Sequence, residues 1–388
     1  MPIFDQGYQH WKGELAGHAW RWLAITQQGV RTGMKNRWVR IVMLVAWLPA
    51  IGLGFMLCLW GMVEKKSDLV MPIVEMLSFL QPLAVDPHAH RLTVWTLCFD
   101  YFLWIEMYFS MILVLMIGPS LISQDLRFNA LPLYFSRPLR RIDYFMGKLG
   151  VIAYFLGQVV IVPALLAYFL GLLFSLDITI IRDTYHLLLS CIAYGLVIIL
   201  SAGLFILALS SLSRNSRYVA LFWIVIWLVS GMMALALNAV DQNQRRQDYN
   251  RKAYSNQPIV RSNPQNLDPQ EQRRQQQEQQ QQQNIWMAKM QKAEQEFQAE
   301  QFEAKRHNWR PLLSFTANLY RVGTVLLDTD DCWIRMSKLK PPNERERFLN
   351  DNQGPQYPWY WSAGVLAVLI GLSLCILNFR VKSLDRLR

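Results

Sequence analysis

Six apolar stretches, each of about 20 residues, constrain this chain more than any other feature. They lie at residues 41–62, 98–119, 149–176, 187–209, 219–237 and 360–379. A helix of about 20 mostly apolar residues matches the ~30 Å hydrocarbon core of a bilayer. It also satisfies every backbone polar group internally, as lipid demands. A soluble core gives no reason to repeat that length six times. The expected fold is an all-α polytopic membrane protein with six transmembrane helices.

The chain is 53% apolar and 17% charged, with a net charge of +11, and the placement of that charge matters more than its sum. Basic residues dominate the first forty positions (Lys12, Arg21, Arg31, Lys35, Arg37, Arg40), the loop after the second stretch, the turn at Arg214 and Arg217, and the C-terminal tail. The loops after the first and third stretches each carry one more acid than base. Positive-inside counting therefore places both termini in the cytoplasm of a multi-pass cell-membrane protein, with residues 239–358 outside. The basic excess also suits membrane lipids with anionic headgroups. Nucleic acid is excluded as a partner, because no soluble domain offers a basic face. Residues 1–40 have no uninterrupted apolar core, so the first span is expected to be its own insertion signal.

Four regions follow. Residues 1–40 form a cytoplasmic N-terminus in which Leu15, Ala19, Trp22, Leu23, Thr26, Val30 and Met34 recur at helical spacing among basic residues. That pattern predicts an amphipathic helix over 14–38 lying along the membrane surface. Residues 41–238 hold five spans. Residues 239–358 are extracytoplasmic, helical in part and disordered in part: the glutamine-rich stretch 242–284 cannot bury enough apolar area to fold alone. Trp286, Met290, Ala293 and Phe297 then suggest a helix. Leu312, Phe315, Leu319, Val322 and Leu326 form a stripe over 311–327, with Arg321 near its centre. We read that stripe as an interfacial or re-entrant helix. Residues 359–388 hold the sixth span, anchored by Tyr357, Trp359, Tyr360 and Trp361, and a basic tail. Cys58, Cys98, Cys191 and Cys375 lie in or beside spans as small apolar residues, while pairing of Cys332 is left open.

Motifs for chemistry are missing. The sequence contains no GxxxxGK[ST], HExxH or GxSxG, so neither a nucleotide site nor a catalytic centre is expected. The six histidines are scattered, and no metal ligand set is expected. Two acids stand within the second span, Asp100 and Glu106. Ionisable groups at that depth are costly and mark function by default. The alternatives are a hydrogen-bonded acid holding helices together and a residue on a translocation path or proton site. Six residues of helix separate the pair by about 600°, so they face different ways.

The densest motif is ISQDLRFNALPLYFSRPLRRIDYFMGK, residues 122–148. A topology-setting loop needs arginines only. Leu131, Leu133, Tyr134 and Phe135 at a cytoplasmic surface point to a partner. This stretch resembles the loop of ATP-binding-cassette (ABC) exporter permeases of the second type, the ABC-2-like membrane subunits. The resemblance rests on Asp125, Ser136-Arg137-Pro138, Asp143-Tyr144 and Gly147-Lys148, and on the plan of a surface helix, six spans and an outer helical element before the last. It implies an export permease in a bacterial inner membrane, paired with a second permease subunit in a homo- or heterodimer. A cytoplasmic ABC ATPase subunit holding ATP and Mg would drive it, this chain carrying no cofactor of its own. A short helix over 125–131 and the turn after it would couple the two, through Asp125, Leu131, Leu133, Phe135, Ser136, Arg137 and Pro138. The glutamine-rich insert departs from the plan. Two other classes stay open: a membrane scaffold with an external glutamine-rich binding arm, and an ion-coupled transporter using Asp100 and Glu106.

Overall fold

The computed structural model describes residues 20–76, 81–131, 134, 140–175, 179–254 and 269–385, and every regular element among them is helical. Six helices are long and apolar enough to cross a membrane: Arg37–Glu64, Pro87–Arg127, Arg141–Ser175, Thr179–Leu212, Ser216–Arg251 and Trp359–Arg380. They make the chain a multi-pass membrane protein. The second and fourth spans form the centre, with 61% of their most apolar stretch buried against 17% and 22% in the fifth and sixth. The outer helices thus leave most of their apolar surface for lipid, which costs nothing in a bilayer.

Small residues set the central crossings, as membrane helices require when packing is the main attraction. A Cβ on Gly118 would sit 2.4 Å from Ile206 Cγ1, so no larger residue fits where the second span meets the fourth. Trp95 is buried over Gly171 and meets Tyr168 edge-on at 5.7 Å. At one end of the bundle Arg91 donates two bonds to Glu64, at 2.7 and 2.9 Å, and the Ser175 hydroxyl donates to the same carboxylate at 3.2 Å. That buried fork fastens the ends of the first three spans.

Each spanning helix extends past its apolar stretch at one end or both. The second helix continues through Pro119 to Arg127. Proline removes a helix N–H and crowds the preceding turn. The Ser210 hydroxyl of the fourth span accepts from the Ile122 and Ser123 amides, at 3.1 and 3.0 Å, and donates to the Pro119 carbonyl. A single side chain thereby ties the turn after Pro119 to the fourth span. A five-residue π-helical turn, Gly157–Ile161, interrupts the third span where it packs on the second.

The N-terminal helix, Arg21–Lys35, packs lengthwise along the third span. Ile25 and Trp22 meet Gly147, Thr26 meets Gly150, Gly29 meets Val151 and Gly33 meets Phe155, so the two helices run in the same direction. Part of its apolar face is covered by protein, where the sequence pattern alone predicts lipid: Thr26 is buried and Trp22, Val30 and Met34 are half-buried, while Leu23 stays exposed. Gly29 and Gly33, four apart, let the backbones approach.

In the hydrophilic region the fifth-span helix runs on to Tyr254, and a 38-residue helix, Pro269–Arg306, returns alongside it. Tyr249 stacks on Phe297 at 4.5 Å. The Asn350 side-chain amide donates to Gln298, and the Asn350 backbone carbonyl accepts from Lys305. Residues 277–284 are helical yet exposed throughout. Glutamine is a good helix former, so helix forms there without a core. The stripe over 311–327 becomes a short 3-10 turn, Arg310–Leu313, and a helix, Phe315–Leu327. That helix packs against the second, fourth and sixth spans. Arg321 is buried at its centre, donating to the Tyr357 carbonyl at 2.9 Å and paired with Asp330 at 2.9 Å. All five cysteines are free thiols, Cys332 among them.

Candidate functional site

The site is the end of the second span and the start of the third. Asp125 lies in the last turn of the 41-residue second helix, not on a short helix of its own. The helix ends at Arg127 with Phe128 as its cap, and Asn129 then takes a left-handed φ of 49°. That reversal breaks residues 125–131 in the middle. The expected coupling helix over that range is therefore absent as a single element.

Around Asp125 a compact knot forms. Lys148 Nζ lies 2.6 Å from Asp125 Oδ2, and the Tyr144 hydroxyl donates to the same oxygen at 2.7 Å. The ammonium also stands over the Tyr144 and Tyr134 rings, at 5.4 and 5.9 Å, a cation–π arrangement on two faces. Burial first, then the Asp125 carboxylate, raises the Tyr134 phenol above its ordinary pKa. Asp143 accepts from the Arg140 amide at 3.1 Å and caps the third span. Thr26 of the N-terminal helix donates to the Gly147 carbonyl at 3.0 Å. Asp125, Asp143-Tyr144 and Gly147-Lys148, the outer parts of the sequence motif, are thus one interlocked unit. It joins the second span, the third span and the N-terminal helix.

Two expected contact residues are used inside the chain. Leu131, expected at the surface, is 3% exposed. Asp125 is committed to Lys148 and Tyr144, with 15% of its side chain exposed, and is not free to pair with another subunit. Leu133, Phe135, Ser136, Arg137 and Pro138 lie outside the described residues. Among the described residues around this turn, Phe128 is 72% exposed and Ile142 71% exposed. They flank the undescribed residues 135–139, with Arg127, Arg140 and Arg141 beside them. Sequence reading passed over both. The available signal was their place just beyond the last polar residue of one helix and just inside the next.

The two intramembrane acids are not brought together. Asp100 accepts from the Tyr320 hydroxyl at 3.4 Å, linking the second span to the Phe315–Leu327 helix. Glu106 lies on the stripe of Trp95, three turns along, since 11 residues return a helix to about the same face. It is 0% exposed, and neither carboxylate oxygen has a hydrogen-bond partner among the described residues. The Ser110 hydroxyl, one turn further, is in the same state. Among the described residues no three histidines, cysteines or carboxylates gather as a metal ion would need.

No protein-family model matches the chain, and no curated protein does either. The fold and the site define a multi-pass membrane protein with a polar knot where the end of its second span meets the start of its third. Any narrower assignment rests on the residues themselves.

Proposed function

We propose that this chain is the membrane permease subunit of an ATP-driven ABC exporter, energised by a separate cytoplasmic ATPase subunit. The observation that carries the reading is the Asp125–Tyr144–Lys148 knot beside the resembling loop. A loop hung between two helices that are locked to each other moves them as a unit. A push from a partner would reach the second and third spans together, through the turn reset at Pro119, and change populations by differential contact. Phe128 and Ile142 replace Leu131 as the apolar contacts offered to that partner. Under this reading the Arg21–Lys35 helix and both termini are cytoplasmic, in a bacterial inner membrane. The helical arm then projects outward, and two permease halves assemble.

The test is purification of the full chain from its native membrane in mild detergent, with ATP hydrolysis measured in the eluate. An ATP-hydrolysing subunit in fixed ratio is expected, and Phe128→Ala with Ile142→Ala should reduce it by tenfold or more, since truncated anchors cost about 2 kcal/mol each. Recovery of active transport by the chain alone, with no ATPase bound, would overturn the reading.

One observation favours a second reading, an ion-coupled transporter: the unpartnered Glu106 carboxyl. A buried acid without a donor is what a proton site needs in the middle of a span. Glu106→Gln keeps the shape and removes the titration. Loss of proton-gradient dependence in this variant would favour that reading, and ATP-dependent transport untouched by it would exclude it.

A further inference from the structure

Glu106 has two carboxylate oxygens without a hydrogen-bond partner, and among the described residues no basic side chain pairs with it. A carboxylate taken this far out of water has to be neutralised, by a proton or by a cation. Ser110, one turn on, supplies a second and independent observation. Other serines inside the spans donate to the carbonyl three or four residues back: Ser120 to Ile117, Ser201 to Val197 and Ser373 to Leu369. That back-bond is the ordinary recourse of a hydroxyl in an apolar helix. The Ser110 hydroxyl is 0% exposed and makes no such bond. Residues four apart stand about 5–6 Å from each other on one helix face, so the hydroxyl and the carboxylate can reach one small ion together.

The two helices that flank this face are both interrupted at its level. Glu64 of the first span meets Arg91, and further along Val39 and Met116 line one cavity, with equal numbers of residues between the two points on each helix. Counting between those points sets Glu106 opposite Pro49, in the first turn of the helix that restarts after the break at Trp47. On the third span, Trp95 meets Gly171, and Asp125 meets Tyr144 and Lys148. The same count sets Glu106 opposite residues 161–163, where the π-helical turn ends. There the Val162 amide bonds the Gly157 carbonyl, and the buried Pro163 has no N–H to offer the Gln158 carbonyl that follows. Backbone carbonyls at helix breaks inside a membrane are ligands for small cations.

We propose that Glu106 and Ser110, with the Gln158 carbonyl of the facing π-helical turn, form a binding site for one dehydrated sodium ion. A proton would occupy one carboxylate oxygen and leave the hydroxyl unmet, and a water molecule would leave the charge unmet. A monovalent cation answers both. Hard cations take oxygen ligands of any kind, so no cluster of carboxylates is needed, and a single carboxylate balances a single positive charge. A divalent ion would leave a net charge at this depth. The ion enters from the cavity of about 900 Å³ between the N-terminal helix and the second span, whose lining reaches Ile117, two turns from Ser110. The proposal uses the same unpartnered acid as the ion-coupled reading, but it concerns binding alone and holds whether or not the ion drives transport.

The experiment uses the full chain, purified in detergent and choline chloride and titrated with sodium chloride at constant ionic strength. Binding is followed by calorimetry and Tm by circular dichroism. One sodium ion per chain is expected, with a rise in Tm that saturates. Glu106→Gln should abolish both signals. Ser110→Ala should weaken binding about tenfold, the loss of one bond to a charged group. Ser373→Ala, whose hydroxyl bonds its own helix, should leave binding unchanged. If Glu106→Gln does not fold, as judged by gel filtration, the wild-type titration and Ser110→Ala decide the matter. No saturable response to sodium, or an undiminished one in Glu106→Gln or Ser110→Ala, would overturn the proposal. So would a Glu106 carboxyl that titrates in infrared difference spectra with no response to sodium, which would leave the site to a proton. Sodium binding without ion-driven transport would uphold the proposal and count against the ion-coupled reading instead.

Discussion

Breaking the Asp125–Lys148 pair is the most direct test of the knot. The two charges lie 2.6 Å apart with 11% and 15% of their side chains exposed, so water screens them only slightly. Lys148→Met leaves the carboxylate held by the Tyr144 hydroxyl alone. Asp125→Leu leaves an ammonium between two aromatic rings. Removing one member of a buried pair costs about 3–5 kcal/mol, because the other charge is left uncompensated. The residual exposure puts each single variant here near ~3 kcal/mol. The double variant removes both charges and should cost about 2 kcal/mol or less, well short of the sum, because no charge is stranded. The assay is denaturant unfolding of the purified protein in micelles, followed by far-ultraviolet circular dichroism and arranged as a double-mutant cycle. Lys292→Met serves as control, because its partner Glu296 is 4.0 Å away and both side chains are mostly exposed. It should move stability by less than ~0.5 kcal/mol. Single variants costing under ~1 kcal/mol, or a double variant equal to their sum, would refute the claim that Asp125 is locked within the chain. The coupling surface would then have to be redrawn around a free Asp125.

Three further outcomes can be checked separately. Gly29→Leu places a side chain where even a Cβ would stand 2.4 Å from Val151 Cγ2; amide exchange should rise across Arg21–Lys35 and stay unchanged in Pro87–Arg127, and unchanged exchange in both would show that the helix is not packed there. Ser210→Ala strips the acceptor from the Ile122 and Ser123 amides and should cost about 1–3 kcal/mol, the penalty of leaving buried donors unmade; a neutral result would mean that this tie to the fourth span carries no stability. Burial first, then the Asp331 and Asp330 carboxylates, hold the Asp328 carboxyl above its ordinary pKa against the opposing pull of Arg335 and His186. The folded state then binds more protons than the unfolded one between the ordinary and the raised values, so stability falls as pH rises through that window. Asp328→Asn removes the titration and suits the left-handed φ of 57° at this helix end; the fall in Tm over that window should flatten, and an unaltered slope would refute the assignment.

The six spans were legible in the chain itself because their cause is local. Each depends on apolar length against a fixed hydrocarbon thickness, and residues 41–62 or 187–209 carry that information without reference to any other segment. The motif around Asp125, Tyr144 and Lys148 was equally visible as a cluster of residue types. Its meaning was not, because an acid at the end of one helix and a base about two turns inside the next read as surface charges until packing sets them 2.6 Å apart. The N-terminal helix shows the same division. Its periodicity announces an apolar face, but whether lipid or protein covers that face depends on Gly147 and Gly150 lying opposite Trp22, Ile25 and Thr26. Arg321 stood in the sequence only as a charge near the centre of an apolar stripe, and its partners, Asp330 and the Tyr357 carbonyl, are set beside it by the fold. Leu131 looked like a surface contact and is buried, since the turn at Asn129 redirects the chain after the second span. Sequence alone determined which segments cross the membrane, through one-body preferences for lipid or water. Tertiary structure alone decided which polar groups are paired, which helix face is covered and which apolar side chains stay exposed, because those depend on which distant residues share a level in the packed bundle.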